Sequence, residues 1–241
     1  PLENHGDIGG VKVRPTFRAD ARFKENAVKS ELEKRLDYFV GKGCKIADYG
    51  FDFIDEADEN LAWLIENCYK RKMILQLHFG TYRNVNSAAY GQCGKDSGFD
   101  IMRGTIDTDA LVKIFDRENM RLGGLPKIVV YPLNDYDLRA IATLTGAFPQ
   151  VKLGAAWWFN DTVSGIKRQL ETAAEYSALG TQYGMLTDSR SFSSYVRFDF
   201  YRRILSSFIG EKVEKGEYDE NAAITLAKKI AYENIKNALA V

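Results

Sequence analysis

The sequence predicts an α/β fold in which buried parallel strands alternate with helices. Short runs of seven or eight apolar or β-branched residues recur along the chain, and segments with apolar residues at helical spacing separate them. Most of these runs are too apolar for strands with one face in water, so we expect them to be covered on both faces. They occupy residues 11–17, 44–51, 73–80, 127–133, 151–158 and 182–188.

Helical patterns lie between the runs. They span residues 24–40, 61–68, 107–122, 135–145 and 160–179. Asp107 or Asp109 is the expected N-cap of the third pattern, and Asn160 or Asp161 that of the fifth, because short polar side chains accept bonds from a helix's first amides. The glycines at 123 and 124 are expected to end the third helix.

This alternation indicates parallel strands joined by right-handed crossovers. The first run is not followed by a glycine-rich phosphate loop, which disfavours a nucleotide-binding doubly wound sheet. A (β/α)₈ barrel is the better interpretation, although only six βα units are present and we expect the two missing strands at the N-terminus. We predict a single, partial barrel domain over residues 1–241, with a C-terminal helical segment at 195–241.

Composition excludes several classes of function. The 33 Lys and Arg residues balance 33 Asp and Glu residues, so no charge favours binding to nucleic acid or to an anionic membrane. No apolar run approaches the ~20 residues of a membrane span, and the first residues do not resemble a signal peptide. Of the three cysteines, Cys44 and Cys68 are expected to be buried thiols, which fits a reducing, cytoplasmic compartment.

Polar and aromatic side chains gather where the predicted strands end. In barrels of this kind the reactive groups come from the strand ends and the loops that follow them, so these residues are the candidates for a site. They are Arg18, Asp20, Asp48, Asp52, His78, Asn134, Asp135, Trp157, Trp158, Asp188 and Arg190.

His78 lies on the same face of its strand as Gln76, opposite Leu75 and Leu77. A polar pair on one face of a buried strand fits a barrel lumen. The imidazole is therefore either a metal ligand or acid–base group, or a core histidine bonded to a backbone carbonyl.

Three further groups each allow two interpretations. Asp188 and Arg190 could bind a metal and a substrate carboxylate, or form a structural ion pair. Trp157 and Trp158 could line a sugar site, or belong to the core. Arg83 belongs to the donor-rich residues 82–86 near the start of the stretch 81–106, which is long enough for a substrate loop but could also be a surface turn.

Four stretches of sequence resemble the uronate (glucuronate) isomerase family of the amidohydrolase superfamily. The resemblance runs in order from residue 15 to the C-terminus. It implies a (β/α)₈ barrel in which the six predicted strands are strands three to eight. It also implies one divalent metal, commonly zinc, and isomerisation of glucuronate to fructuronate and of galacturonate to tagaturonate. The stretches are LQLHFGTYRNVN, LPKIVVYPLN, VKLGAAWWFND and GMLTDSRSFSSYVRFDFYRRIL.

The resemblance also implies roles for single residues. His78 and Asp188 would be metal ligands, with Asp188 a candidate base for proton transfer through an enediol, and His78 would belong to the catalytic set. Arg190 would hold the substrate carboxylate. Trp157 and Trp158 would line the pocket, and Arg83 would be a further polar contact.

The chain departs from the family pattern near the implied site. It contains no His-x-His pair, and Tyr49 and Phe198 stand where the family is expected to have histidine. Ala19 replaces an expected proline, and the segments 22–30 and 52–60 are expected to be shorter than in the family.

These departures leave three functions open. The first is an isomerase whose remaining residues are supplied by an upstream segment, by a companion chain or within a homo-oligomer. The second is a non-catalytic fragment or pseudo-enzyme of this family. The third is a metal-dependent hydrolase on the same barrel. A uronate is favoured over an amide or ester by the tryptophan pair and by the Asp-Ser-Arg sequence at 188–190.

Overall fold

The computed structural model describes residues 12–20, 23, 28–189 and 191–239. Its main element is a five-stranded sheet with the strand order β1-β2-β3-β6-β7. Neighbours β1 and β2, and β2 and β3, pair in parallel, as expected for strands joined by crossover helices. The strands of this sheet are β1 (Thr16–Arg18), β2 (Ile46–Gly50), β3 (Ile74–Phe79), β6 (Lys127–Pro132) and β7 (Val151–Leu153). A separate antiparallel pair consists of β4 (Thr81–Tyr82) and β5 (Ile101–Met102).

Helices connect the strands and form the C-terminal segment. The α-helices are α1 (Lys29–Gly41), α2 (Glu59–Lys70), α3 (Ser87–Cys93), α4 (Thr108–Leu122), α5 (Leu138–Ala147), α6 (Val163–Tyr176), α7 (Val196–Glu214), α8 (Glu220–Lys228) and α9 (Asn234–Leu239). Residues Lys229–Glu233 form a π-helix, and Trp158–Asn160, Leu179–Thr181 and Phe192–Tyr195 form 3₁₀ turns. Within the described residues, no helix is long and apolar enough to cross a membrane.

The chain divides into two compact units. Unit 1 consists of two segments, the chain up to His78 and Asp107–Val130. Unit 2 consists of Phe79–Ile106 and the chain from Tyr131 onward. Each unit has its own set of fully buried apolar side chains. In unit 1 these include Leu36, Leu61, Leu64, Leu75 and Ile114, and in unit 2 Ile141, Ile166, Leu170 and Ala173. The single-domain interpretation stays a prediction.

Cap residues explain several helix boundaries. Asp107 is the N-cap of α4, since its side chain accepts a bond from the Ala110 amide at 2.9 Å, and Gly123 ends that helix with a φ of 71°. The expected cap of α6 was wrong. Thr162 caps it by accepting from the Gly165 amide at 3.0 Å, because Asn160 closes the preceding 3₁₀ turn.

The sixth predicted strand, 182–188, was also wrong, because these residues are described and form no strand. Gly184 and Asp188 have φ angles of 73° and 45°, which interrupt an extended backbone. The Gln182 carbonyl accepts from the Asn234 side-chain amide at 2.8 Å rather than from a neighbouring strand. The described residues therefore contain five strands of the main sheet instead of six.

Other expectations hold in altered form. The first and fifth strands are shorter than their apolar runs, at 16–18 and 151–153. The stretch 81–106, expected as a long loop, contains β4, α3 and β5. The thiols of Cys44 and Cys68 are buried, as predicted.

Candidate functional site

Unit 1 presents a polar face where β1, β2 and β3 end. Parallel pairing places Arg18 beside Asp48 and Asp48 beside Gln76, and the next row places Gly50 beside His78. Residues paired in this way project from the same side of the sheet. The predicted alternation along β3 is confirmed, since Gln76 and His78 are partly exposed whereas their neighbours are buried.

A continuous chain of polar and charged side chains occupies this face. His78 Nε2 lies 3.2 Å from Asp48 Oδ2, which also lies 3.4 Å from Arg18 Nη1. Arg18 in turn binds Asp20 through its Nη2 at 2.8 Å. The sequence identified each residue as a strand-end candidate. It did not predict the link between them, which depends on the register of three strands.

Gly50 provides the space that the His78 ring occupies. A Cβ atom at Gly50 would overlap His78 Cε1 and lie 2.9 Å from both ring nitrogens. Its amide also faces Asp20 Oδ1 at 3.4 Å. The imidazole can therefore lean across the end of β2 towards Asp48 only because this position has no side chain.

Tyr49, which stands where the family is expected to have histidine, belongs to a different face. It pairs with Leu77, whose side chain is fully buried, rather than with His78. Its ring contacts Phe23 edge-on at 5.8 Å. Burial, followed by the charges of Asp58 and Asp20, raises the pKa of the Tyr49 hydroxyl. This position is therefore a packed, neutral phenol. Phe198 lies partly exposed in α7.

Unit 2 brings Arg83 and Trp158 together. The Arg83 guanidinium lies 5.0 Å from the centroid of the Trp158 ring, a cation–π contact. Trp158 is 38% exposed and has a φ of 50°, which is unusual for a bulky residue. Trp157 is only 5% exposed and packs against Tyr131. The pocket-lining role of Trp157 stays a prediction, and the structure places its side chain in the core of this unit.

Asp188 lies in the irregular segment that follows Thr181. It is exposed, and its φ of 45° lies in the left-handed region. Arg190 itself lies outside the described residues, so the substrate-binding and ion-pair interpretations of this pair stay predictions.

The described residues do not fit the metal that the resemblance implies. They contain no group of three or more His, Cys, Asp and Glu side chains placed to hold a metal ion. Asp48, the carboxylate nearest to His78, also faces the Arg18 guanidinium, a cation that disfavours a second positive charge there.

We expect the 241-residue chain to bind zinc weakly, because a catalytic zinc site usually takes three protein ligands and only His78 and Asp188 are candidates. Isothermal titration of the purified chain with Zn²⁺ measures this directly. Tight, one-to-one binding of Zn²⁺ would contradict the expectation. If His78→Ala then abolished that binding, His78 would be one of the ligands of the site.

Comparisons with known proteins give a consistent result. The family model described as glucuronate isomerase matches residues 57–239. A uronate isomerase from Serratia proteamaculans is 34% identical over 291 aligned positions, which cover 96% of this chain and 62% of that protein. One from Haemophilus influenzae is 35% identical and covers 87% of this chain and 53% of its own length.

Solved structures agree with these matches. A uronate isomerase from Thermotoga maritima superposes with a TM-score of 0.87 at 26% identity, covering 96% of this chain and 62% of that one. A glucuronate isomerase from Caulobacter crescentus gives 0.79 at 26% identity, covering 88% and 50%.

The chain therefore spans between half and two thirds of the length of these relatives. The Serratia alignment is also longer than the chain itself, so that relative carries positions inside the matched region that this chain lacks. The region matched by the family model includes His78, Arg83, Trp158 and Asp188. Because that model covers more than half of the chain, the chain belongs to the glucuronate isomerase family.

Proposed function

We propose that this chain is part of a uronate isomerase that interconverts D-glucuronate and D-fructuronate, and D-galacturonate and D-tagaturonate. The observation that carries the proposal is the family match over residues 57–239, which contains His78 of unit 1 and Arg83, Trp158 and Asp188 of unit 2. We also propose that the five strands belong to an incomplete (β/α)₈ barrel, with the remaining strands supplied by another segment.

The reaction moves one proton between neighbouring carbons. A base removes the proton from the hydroxyl-bearing carbon beside the carbonyl, and the resulting enediol accepts a proton on the former carbonyl carbon. Asp188 is our candidate base, because an exposed carboxylate can take and return this proton. His78, bonded to Asp48 at 3.2 Å, is the candidate group for moving the proton between the two oxygens.

The substrate requires a second kind of contact at its far end. A uronate differs from its parent aldose by a carboxylate, which a planar guanidinium binds with two parallel charge-assisted hydrogen bonds. We assign this role to Arg190. Trp158, which is partly exposed beside Arg83, is the candidate platform for the apolar face of the sugar ring.

Arg190→Lys is expected to lower kcat/KM for uronates by roughly 1.5–3 kcal/mol, the range for hydrogen bonds to charged groups, because an ammonium cannot reproduce the fork. Residual activity on a neutral aldose should fall much less. Steady-state kinetics on both substrates measure the difference. Equal losses would mean that Arg190 is structural and paired with Asp188.

The reaction would take place in a reducing compartment, the cytoplasm, which suits the two buried free thiols. The remaining residues would come from an upstream segment, a companion chain or a homo-oligomer, and the substrate is a small molecule. The alternatives are a non-catalytic relative and a metal-dependent hydrolase.

One assay separates these three functions. The product of the gene, including whatever it encodes upstream of Pro1, is incubated with D-glucuronate, D-galacturonate and a panel of esters and amides. Ketose formation from the uronates supports the proposal. Hydrolysis without ketose would favour the hydrolase, and no reaction with any compound would favour the non-catalytic relative.

A further inference from the structure

A buried carboxylate in unit 2 contacts Arg83 from the opposite strand. Pairing of β4 with β5 places Thr81 across from Met102 and Tyr82 across from Ile101. The next position in this antiparallel register sets Asp100 across from Arg83. The Asp100 side chain is only 7% exposed, and its Oδ2 lies 3.1 Å from Arg83 Nε.

Asp100 also fixes the backbone beside that arginine. Its Oδ1 accepts a hydrogen bond from the Asn84 amide at 2.8 Å. Asn84 has a φ of 54°, in the left-handed region that few residues other than glycine and asparagine occupy readily. One carboxylate thus holds both the guanidinium of Arg83 and the turn that follows it.

Two further contacts complete the surroundings of the guanidinium. Asp96, which is 38% exposed, binds Arg83 Nη2 at 2.6 Å. The Trp158 ring lies 5.0 Å from the guanidinium carbon and is itself stacked on Phe159. A guanidinium has five N–H donors, of which Nη2 donates one to Asp96, while Nε forms an ion pair with Asp100. The Arg83 side chain is 43% exposed, so part of the guanidinium is open to the oxygens of a ligand lying against Trp158.

We propose that Asp100 is a positioning residue that holds the Arg83 guanidinium over Trp158, where Arg83 binds the carboxylate of an acid sugar together with Arg190. The inference rests on the proposed function, because it takes a uronate as the ligand. Preorganisation explains the effect. An arginine that is already ordered loses less side-chain freedom when it binds an anion, so affinity depends on the residue that orders it.

The test measures uronate binding separately from catalysis. D-glucuronate and D-glucose are titrated into the chain, and binding is followed by tryptophan fluorescence. Asp100→Asn is expected to weaken D-glucuronate binding about 10-fold, the loss for a hydrogen bond to a charged group, and to change D-glucose binding little. The asparagine oxygen still accepts from the Asn84 amide, so the midpoint of thermal unfolding should stay close to that of the unchanged chain.

A double-mutant cycle shows whether Asp100 acts through Arg83. If it does, the double variant Arg83→Met/Asp100→Asn binds D-glucuronate no more weakly than the single variant Arg83→Met. Asp199→Asn is the matched control, because it removes the charge of a carboxylate that lies 2.7 Å from Arg203 on the exposed face of α7. It should leave binding unchanged.

The outcomes separate the two proposals. Additive losses in the cycle, unchanged binding in Asp100→Asn, or no uronate binding by the unchanged chain would overturn the role of Asp100. Uronate binding that depends on Asp100, without ketose formation by the gene product, would support this role and refute the isomerase proposal.

Discussion

Replacing Gly165 by alanine is expected to lower the free energy of unfolding by about 1–3 kcal/mol, the cost of overpacking a close contact. Gly165 lies in the first turn of α6, directly against the 3₁₀ turn Trp158–Asn160. A Cβ atom there would overlap the Asn160 carbonyl oxygen and lie 2.9 Å from the carbonyl carbon. The obstacle is backbone, which cannot rotate away as a side chain would, so the turn that carries Trp158 must shift. Urea unfolding measures the loss.

Gly210→Ala provides the matched control. Gly210 lies inside α7, and a Cβ atom there would meet nothing within 4 Å. Alanine should therefore raise the free energy of unfolding, by up to about 1 kcal/mol, because glycine is a poor residue inside a helix. If Gly165→Ala were as stable as the unchanged chain while Gly210→Ala behaved as expected, the contact between α6 and the turn would be looser than described.

Asp188→Asn is expected to lower kcat of the proposed isomerase by about 10²–10⁴-fold, the range for loss of a positioned general base, if Asp188 has the role that we propose. Asparagine has nearly the same shape and tolerates a φ of 45°, so the turn at this position should persist. The amide cannot accept the substrate proton. Initial rates with D-glucuronate and D-galacturonate measure the change, and the midpoint of thermal unfolding shows whether the fold is kept.

For this prediction Asp199→Asn again provides the control, since it makes the same chemical change at an exposed position on α7. Its kcat should equal that of the unchanged enzyme. If the Asp188→Asn enzyme kept more than half of the original kcat, another group would have to remove the proton.

The central strands were predictable because strands buried on both faces are runs of mostly apolar residues, which are visible in the local sequence. The apolar runs at 44–51, 73–80 and 127–133 match β2, β3 and β6 closely. The run at 182–188 was predicted from the same kind of pattern but has no neighbouring strand among the described residues, and a local pattern does not encode the presence of a partner. Its first carbonyl is instead contacted by Asn234, which lies more than 50 residues away in sequence.

The site was predictable as a set of residues but not as a set of contacts. Strand-end reasoning identified Arg18, Asp48 and His78, and their mutual bonds follow from register, which the sequence does not state. The sequence predicts the same two alternatives for Trp157 and Trp158. In the structure Trp157 is buried and Trp158 is partly exposed, because the backbone adopts a left-handed conformation at Trp158.

Asp100 was missed altogether. It lies in a polar stretch with no apolar periodicity, 17 residues after Arg83, and only the antiparallel pairing of β4 with β5 brings the two together. The available signal was the presence of aspartates, Asp96 and Asp100, shortly after the donor-rich residues 82–86.

Proton NMR of D-glucuronate in D₂O, incubated with the gene product, shows whether that product isomerises uronates by proton transfer. We expect ketose signals that grow with time, with deuterium incorporated at the carbon that receives the proton, because a carboxylate base exchanges with solvent. Unchanged D-glucuronate would contradict the isomerase assignment, and ketose entirely free of deuterium would contradict the proton-transfer route through Asp188.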